Sequence, residues 1–301
     1  MPLLPPDVAS LSFRADKHGA PPKDSHEMPT DAQLLSIFEA LALAAGKVVM
    51  DAYVHGCEIG KKADASPVTA ADREAELIIL GGLRGFCPAI PVIAEEAVAA
   101  GDYPAAPGVE FLLVDPLDGT REFVARRPEF TVNIALVRNG VPVLGVVYAP
   151  ASCVLYSGRP GTAQRAQVDG GDEIASRRQV KVRRCGPVPV VVASRSHGSA
   201  ETDRFVTSLP QAEIVSIGSS LKFCMLAAGE ADIYPRFSKT MQWDTAAGDA
   251  VLRAAGGMTV TLDGEPLTYQ PREGSGAERF ANPWFVAKGA DGVLFPVSMP
   301  G

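Results

Sequence analysis

The strongest β signal in the chain is Thr131-Val-Asn-Ile-Ala-Leu-Val-Arg-Asn-Gly-Val-Pro-Val-Leu-Gly-Val-Val-Tyr148. Two apolar, β-branched runs flank the dipeptide Asn139-Gly140, which favours a type I′ turn. We therefore predict a hairpin of two antiparallel strands. Two further extended segments, Pro91–Ala94 and Phe111–Val114, precede the hairpin. An antiparallel sheet is therefore expected to dominate the first half of the chain.

Two amphipathic helices are predicted before this sheet. The first begins with a capping box, Thr30-Asp-Ala-Gln33, and its apolar residues recur at helical spacing from Leu34 to Ala52. We expect these residues to form one buried stripe. The second helix begins after Thr69, and Pro88 ends it.

Strands alternate with helices in the second half of the chain. The pattern predicts strands at Val188–Ala193 and Ala231–Tyr234, and helices at Ser219–Ala228 and Asp244–Ala255. Such alternation is typical of an α/β unit. We divide the chain into a disordered or loosely packed extension (1–28), an N-terminal α+β half with the antiparallel sheet and the metal site (29–185), and a C-terminal α/β half (186–301).

Composition indicates a globular protein. The chain has 301 residues, of which 47% are hydrophobic, enough to bury a large core. A net charge of −7 provides no basic surface for a nucleic-acid polymer. Five cysteines, odd in number and never at C-x-x-C spacing, argue against a zinc site and a disulfide framework, and favour a reducing compartment. We predict no secretory leader and no stretch of membrane-spanning length.

Oxygen ligands follow an apolar run in Phe111-Leu-Leu-Val-Asp-Pro-Leu-Asp-Gly-Thr120. The proline restricts the backbone and the glycine frees it. Asp115 and Asp118 can therefore turn toward one point, together with the Leu117 carbonyl. Such hard ligands select magnesium, manganese or calcium. The same residue types form ordinary β-turns, so this segment alone leaves both interpretations open.

Two further acids favour the metal interpretation. Glu95 follows the apolar run Pro-Val-Ile-Ala, and Asp244 lies at the start of a predicted helix. Taken singly, the first is explained as part of a solvated loop and the second as a helix N-cap. Their occurrence together with Asp115 and Asp118 predicts one carboxylate site.

Asp72 also has two interpretations. Its spacing from Thr69 is that of a capping box, which gives it a local structural role. A carboxylate at this position could equally hold a threonine hydroxyl or a water beside a metal and accept a proton. Spacing alone does not separate the two roles.

Four segments, in this order, resemble the inositol monophosphatase superfamily: Ser66-Pro-Val-Thr-Ala-Ala-Asp72, Glu95-Glu96, Asp115-Pro-Leu-Asp-Gly-Thr120 and Trp243-Asp-Thr-Ala-Ala-Gly248. Within it, the chain is similar to bacterial CysQ-type 3′(2′),5′-bisphosphate nucleotidases through Asp118-Gly-Thr-Arg-Glu-Phe123, Ser194-Arg-Ser-His197 and Ile217-Gly-Ser-Ser-Leu-Lys222. The resemblance covers roughly residues 30–287. It implies the layered αβαβα sandwich of sugar phosphatases, combining α+β and α/β halves.

The resemblance also implies which residues carry the chemistry. Asp72 and Thr120 match the pair that activates the attacking water. The ligands of two or three Mg²⁺ ions would be Glu95, Asp115, the Leu117 carbonyl, Asp118 and Asp244. The predicted substrate contacts are Gly119, Thr120, Ser194, His197, Gly218, Ser219, Ser220, Lys222 and Arg236.

The implied activity is magnesium-assisted hydrolysis of adenosine 3′,5′-bisphosphate to AMP and phosphate, with 3′-phosphoadenosine 5′-phosphosulfate as a possible second substrate. The resemblance further implies lithium sensitivity and a role in sulfur assimilation. We expect a cytoplasmic location and leave open peripheral association with the inner face of the cell membrane. Oligomeric state is left open.

Three alternatives remain at this point. The first is an inositol monophosphatase or a fructose-1,6-bisphosphatase-like sugar phosphatase with the same metal site. The second is a non-catalytic nucleotide or cation sensor on the same scaffold. The third, a calcium-stabilised structural domain, fits less well because the acids are spread along the chain and do not form one EF-hand-like loop.

Overall fold

The computed structural model describes residues 28–61, 67–170, 173–195, 198–209 and 211–290, so nearly all of the predicted extension lies outside the described residues. The helices are α1 (Asp31–His55), α2 (Ala70–Phe86), α3 (Glu95–Ala99), α4 (Thr120–Val124), α5 (Ala200–Ser208), α6 (Leu221–Ala227) and α7 (Gln242–Ala254). The strands are β1 (Ile59–Lys61), β2 (Pro67–Thr69), β3 (Val92–Ala94), β4 (Glu110–Asp118), β5 (Thr131–Arg138), β6 (Val141–Ala149), β7 (Val154–Arg159), β8 (Thr162–Asp169), β9 (Glu173–Gln179), β10 (Val190–Ser194), β11 (Glu213–Ile217), β12 (Ile233–Arg236), β13 (Met258–Thr261) and β14 (Phe285–Lys288).

Most of these strands form two large sheets. One has seven strands in the order β3-β4-β5-β6-β7-β8-β9, antiparallel except for the β3–β4 pair. The predicted hairpin is its centre: β5 pairs with β6, and both Asn139 (φ 50°) and Gly140 (φ 76°) have the positive φ that a type I′ turn requires. The other sheet has five strands in the order β11-β10-β12-β14-β13.

Strands β7 to β9 extend the first sheet beyond what the sequence pattern predicted. The last of them, Glu173-Ile-Ala-Ser-Arg-Arg-Gln179, is an edge strand whose residues are almost all exposed. A strand with one solvated face and an open edge carries charged residues, which removes the apolar periodicity on which the prediction depended.

The helices and sheets stack in five layers. Helices α1 and α2 cover one face of the seven-stranded sheet through residues such as Phe38 and Ile79. Helices α6 and α7 fill the space between the two sheets, where Leu252 belongs to the same core as residues of both. Helix α5 covers the outer face of the smaller sheet, where Phe205 packs with Val191. This order confirms the αβαβα sandwich. Because the middle layer is shared, the division at residue 185 stays a prediction.

Helix α1 is more extensively buried than a single stripe. The Thr30 capping box is present, and the helix packs against α2 on one side and β6 on another, which buries residues on a wide arc. Among the described residues, α1 is also the one helix long and apolar enough to cross a membrane, so the expectation that no stretch reaches that length was wrong. Burial inside the fold accounts for the apolar character of α1, since 56% of its most apolar 18-residue stretch is buried.

Helix α7 lies unusually close to the seven-stranded sheet. A Cβ atom at Gly145 of β6 would overlap the Ala247 carbonyl oxygen and lie 2.7 Å from Ala250 Cβ. A Cβ atom at Gly158 of β7 would lie 2.7 Å from Val251 Cα. The two glycines therefore let the helix backbone rest on the strands, which fixes the position of the first turn of α7, where Asp244 is found.

Gly145→Ala is expected to lower the free energy of unfolding by about 1–3 kcal/mol, because the added methyl group must push α7 away from the sheet. Denaturant unfolding followed by circular dichroism measures this change. Gly85→Ala is the control: no atom lies within 4 Å of its would-be Cβ, so alanine should stabilise this position in α2 by up to ~1 kcal/mol. Equal stability of the two variants would contradict the close packing.

Candidate active site

The acidic segment lies at the end of β4. The strand continues through Asp115 to Asp118 instead of stopping at Val114, and its pairing with β5 becomes irregular between the two acids. Asp115 lies opposite Asn133 and Asp118 lies opposite Thr131. The proline between the acids has no N–H to donate, which is consistent with a break in the hydrogen-bond ladder.

Three acids from distant parts of the chain meet at this point. Carboxylate oxygens of Glu95, Asp115 and Asp244 all lie within 4.8 Å of one another. Glu95 is the first residue of α3, and Asp244 is in the first turn of α7, where its Oδ2 accepts a hydrogen bond of 2.9 Å from Met241 N–H. Asp244 therefore caps its helix from inside the first turn as well as contributing to the cluster.

The electrostatics of the cluster fit a divalent cation. Asp115 is only 1% exposed, and burial, together with the charges of Glu95 and Asp118, raises its pKa well above the usual range. Burial and the same two neighbours also raise the pKa of Asp244. Buried acids that repel each other are stabilised when a cation lies between them. The donor set is of hard oxygens, which suits magnesium, manganese or calcium.

Asp118 lies beside the cluster and faces a different partner. Burial raises its pKa, while the charge of Lys222 and hydrogen bonds from Ser220 lower it. The group of three acids does not include Asp118, although its charge raises the pKa of both Asp115 and Asp244. Its carboxylate therefore stands between the acidic cluster and a buried lysine.

Asp72 makes the contacts that both interpretations require. Its Oδ2 accepts hydrogen bonds from the N–H and hydroxyl of Thr69, at 2.7 and 2.6 Å. Its Oδ1 lies 3.2 Å from the Thr120 hydroxyl, which is also 3.1 Å from the Leu117 carbonyl oxygen. The capping box thus holds one carboxylate oxygen while the other contacts a threonine at the site.

Two glycines bring backbone segments together beside Thr120. Gly119 has φ of 94°, and a Cβ atom there would lie 2.9 Å from the Glu129 carbonyl oxygen. A Cβ atom at Gly218 would lie 2.9 Å from the same oxygen and from Glu122 Cγ. Both positions therefore need glycine, and both leave backbone open to a bound group.

A cavity of about 850 Å³ joins these groups. Its walls come from both predicted halves of the chain. Asp72 does not line the cavity and reaches it through Thr120. His197 lies outside the described residues. The other predicted site residues all line the cavity: Glu95, Asp115, Leu117, Asp118, Gly119, Thr120, Ser194, Gly218, Ser219, Ser220, Lys222, Arg236 and Asp244.

Two cations are buried in the wall of the cavity. Lys222 is 4% exposed, and its Nζ donates a hydrogen bond of 2.5 Å to the Ser219 carbonyl oxygen and lies 5.3 Å from the centre of the Tyr234 ring. Burial lowers its pKa to about 8. Arg236 donates from Nη2 to the Lys239 carbonyl at 2.9 Å, whereas its buried Nε has no hydrogen-bond partner.

The sequence profile of the inositol monophosphatase family matches residues 31–290. The chain belongs to the inositol monophosphatase family. The 3′(2′),5′-bisphosphate nucleotidase CysQ of Escherichia coli K12 is 46% identical over 254 residues, which cover 81% of this chain and 95% of the relative.

Solved structures of the inositol monophosphatase family show the same fold. The chain matches CysQ from Bacteroides thetaiotaomicron with a TM-score of 0.70 and 35% identity, covering 86% of this chain and 98% of that one. It matches the inositol monophosphatase from Anabaena with a TM-score of 0.66 and 27% identity, covering 87% and 92% of the two chains.

Ser220 is placed differently from the other predicted substrate contacts in this inositol monophosphatase family member. It is 2% exposed, its hydroxyl donates to the Asp244 carbonyl, and it accepts a hydrogen bond of 3.0 Å from Asn133 Nδ2. The hydroxyl is therefore engaged inside the protein, where it supports the acids, and its contact with a substrate stays a prediction. Asn133 is a polar residue within an apolar strand, and this break in the apolar pattern is a signal that could have identified it.

Other residues near the site were also missed. Arg121, Tyr103 and Glu278 line the cavity and were not among the predicted site residues. Glu278 lies in the short 3₁₀ helix Gly276–Phe280, and no motif connected this helix with the site. Glu76 is buried one helical turn after Asp72, and burial raises its pKa to about 7. The i, i+4 spacing of these two acids is a signal that could have identified Glu76.

Proposed function

We propose that this member of the inositol monophosphatase family is a magnesium-dependent 3′(2′),5′-bisphosphate nucleotidase that hydrolyses adenosine 3′,5′-bisphosphate to AMP and phosphate. The observation that carries the proposal is one cavity in which a cluster of three acids lies near two buried cations, Lys222 and Arg236. A substrate with two phosphates would use both parts: one phosphate beside the metal-binding acids and one beside the cations. Similarity to CysQ supports this substrate class.

The donor set fits magnesium. Glu95, Asp115 and Asp244 would hold the ions together with Asp118 and the Leu117 carbonyl, and we propose two or three ions. When bound, magnesium supplies Lewis-acid stabilisation of phosphate charge and of the departing ribose oxygen. The wall of acids makes the cavity unfavourable for a phosphate unless cations are present, so substrate binding and metal binding are expected to be coupled.

Asp72 and Thr120 would activate the attacking water. A water that donates to Thr120 Oγ1 can lose its proton through the hydroxyl to Asp72 Oδ1, which lies 3.2 Å away. The other Asp72 oxygen stays fixed by Thr69, so the base is held in orientation throughout. In this scheme water attacks phosphorus directly, and Thr120 forms no covalent intermediate.

The two phosphates would be recognised by different groups. Backbone N–H groups near Gly119 and Thr120 would approach the scissile phosphate closely, because glycine leaves room for an anion beside the chain. Lys222 and Arg236 would pair with the second phosphate, and Ser194 and Gly218, which line the same cavity, would add substrate contacts. A contact from His197 stays a prediction. The sulfate of 3′-phosphoadenosine 5′-phosphosulfate could occupy the same place as the second phosphate.

The test is phosphate release from adenosine 3′,5′-bisphosphate and from inositol 1-phosphate, with magnesium and after its removal by a chelator. We expect turnover only with magnesium and a kcat/KM at least ~100-fold higher for the bisphosphate, since an unpaired buried cation disfavours the substrate with one phosphate. Higher activity on inositol 1-phosphate would instead support the inositol phosphatase. Turnover of neither substrate would favour a sensor on the same scaffold.

We also propose a cytoplasmic location, which is supported by the five cysteines, all of them free thiols. A role in sulfur assimilation and sensitivity to lithium stay predictions.

A further inference from the structure

Helix α2 carries two buried acids one turn apart, Asp72 and Glu76. The mechanism uses Asp72 and gives Glu76 no role. Glu76 is 5% exposed, and both of its oxygens accept backbone hydrogen bonds: Oε2 from Glu96 N–H and Oε1 from Ala97 N–H, each at 2.8 Å. A carboxylate is thus buried with two donors that lie twenty and twenty-one residues away in sequence.

These two N–H groups belong to the first turn of α3, directly after Glu95. The first N–H groups of a helix have no partner within the helix and usually bond to a side chain at the N-cap. Here the N-cap is Ala94, whose side chain makes no capping hydrogen bond. Glu76 on α2 therefore accepts the hydrogen bonds that an N-cap side chain of α3 would otherwise accept.

The position of α3 determines where the Glu95 carboxylate points. Glu95 directly follows β3, which is fixed by its pairing with β4. It directly precedes the two residues whose N–H groups donate to Glu76. Its oxygens lie within 4.8 Å of those of Asp115 and Asp244. Since α3 has only five residues, few other contacts within the helix maintain this geometry.

We propose that Glu76 is a positioning residue that holds Glu95 in the orientation required for metal binding. The proposal rests on the proposed function for its metal. It makes α2 the element that organises both functions of the site, because Asp72 orients the water-activating threonine and Glu76, on the same face, orients a metal ligand. Partners of this kind, which fix a ligand without touching the metal, typically change metal affinity by about 10- to 100-fold when removed.

Glu76→Gln in the full chain tests the proposal. The amide keeps the size of the side chain, but its NH₂ group would face one of the two backbone donors, so one hydrogen bond is lost. We expect the dissociation constant for Mn²⁺, followed by water-proton relaxation, to rise about tenfold or more, with a parallel change in competition by Mg²⁺. At saturating Mg²⁺, the KM for adenosine 3′,5′-bisphosphate should change by less than about threefold, because Glu76 does not line the cavity.

Glu39→Gln is the matched control. Glu39 is also a buried glutamate on a helix, but it pairs with Arg177 on β9, at the opposite edge of the seven-stranded sheet from β3. The Glu39→Gln substitution should lower the free energy of unfolding without weakening Mn²⁺ binding. If the two variants bind Mn²⁺ equally well, Glu76 is a structural cap only and the proposal is wrong.

Glu76→Asp provides a second test if the glutamine variant does not fold. It keeps the charge but is one methylene shorter, so it cannot reach both amides, and Mn²⁺ binding should again weaken. Affinity equal to that of the unchanged protein would overturn the proposal. Failure of the unchanged protein to bind Mn²⁺ would overturn the proposed function as well, which distinguishes the two failures.

Discussion

Asp115→Asn is expected to lower kcat/KM for adenosine 3′,5′-bisphosphate by at least ~10³-fold at saturating magnesium. Asp115 is central to the cluster of three acids and is fully enclosed, with one oxygen accepting a hydrogen bond of 3.0 Å from Leu117 N–H. Asparagine fills the same volume but carries no charge to hold a cation. Losing several kcal/mol of charge stabilisation at the phosphate, for example ~4 kcal/mol, corresponds to this loss of rate.

The same variant should be more stable than the unchanged protein when no metal is present. The folded protein raises the pKa of Asp115 well above its ordinary value of 3.8, so the proton is held more tightly in the folded than in the unfolded state. Metal-free stability therefore falls as pH rises from near 4 through the raised pKa. Asparagine removes this loss, so at pH 7 thermal unfolding of the metal-free variant should occur at a higher temperature.

Added magnesium should reverse the order of the two unfolding temperatures. A ligand that binds only the folded state raises the unfolding temperature, so magnesium should raise it strongly for the unchanged protein and only slightly for the variant. Asp169→Asn, at an exposed position on β8, is the control and should leave both activity and magnesium stabilisation unchanged. Near-normal turnover by Asp115→Asn would contradict the proposed metal site.

Lys222→Met should reduce the preference for a second phosphate. Methionine preserves the buried volume but removes the charge that would pair with the phosphate that is not cleaved. The ratio of kcat/KM for adenosine 3′,5′-bisphosphate to that for adenosine 3′-phosphate should fall by about 30- to 100-fold, or roughly 2–3 kcal/mol. A smaller loss common to both substrates is also expected, because Lys222 faces Asp118.

The pH dependence of this ratio gives an independent measurement. Burial lowers the pKa of Lys222 to about 8, so the free protein loses this charge as pH rises through 8. Since kcat/KM reports the free enzyme, the preference for the bisphosphate should decline over that range in the unchanged protein and stay flat in the variant. Lys181→Met, at an exposed position, should behave as the unchanged protein. If the two substrates lose activity equally in Lys222→Met, the second phosphate is recognised elsewhere.

Local signals accounted for the parts of the fold that the sequence predicted well. The Thr30 capping box, the Asn139-Gly140 turn and the apolar runs on either side depend on neighbouring residues only, and all are present in the structure. Strand β9 was not predicted because it is an exposed edge strand, in which apolar residues do not recur at regular spacing.

Local sequence left the role of individual site residues open. A lysine in a sequence is usually exposed, whereas the structure buries Lys222 in the cavity wall. Ser220 is a predicted substrate contact, and the structure also directs its hydroxyl to the Asp244 carbonyl. The Asp118 carboxylate that Lys222 faces and the Asp244 carbonyl belong to elements far away in sequence, which no spacing rule contains.

The sequence by itself determined the residue types of the site and the elements that carry them, because capping, turns and hydrophobic period are properties of a few consecutive residues. Only the tertiary structure decided that Glu95, Asp115 and Asp244 share one point, that Asp72 reaches Thr120, and that Glu76 holds the first turn of α3. These are distances between segments separated by twenty or more residues, and they are set by how the layers pack, above all by α7 resting on the glycines of β6 and β7.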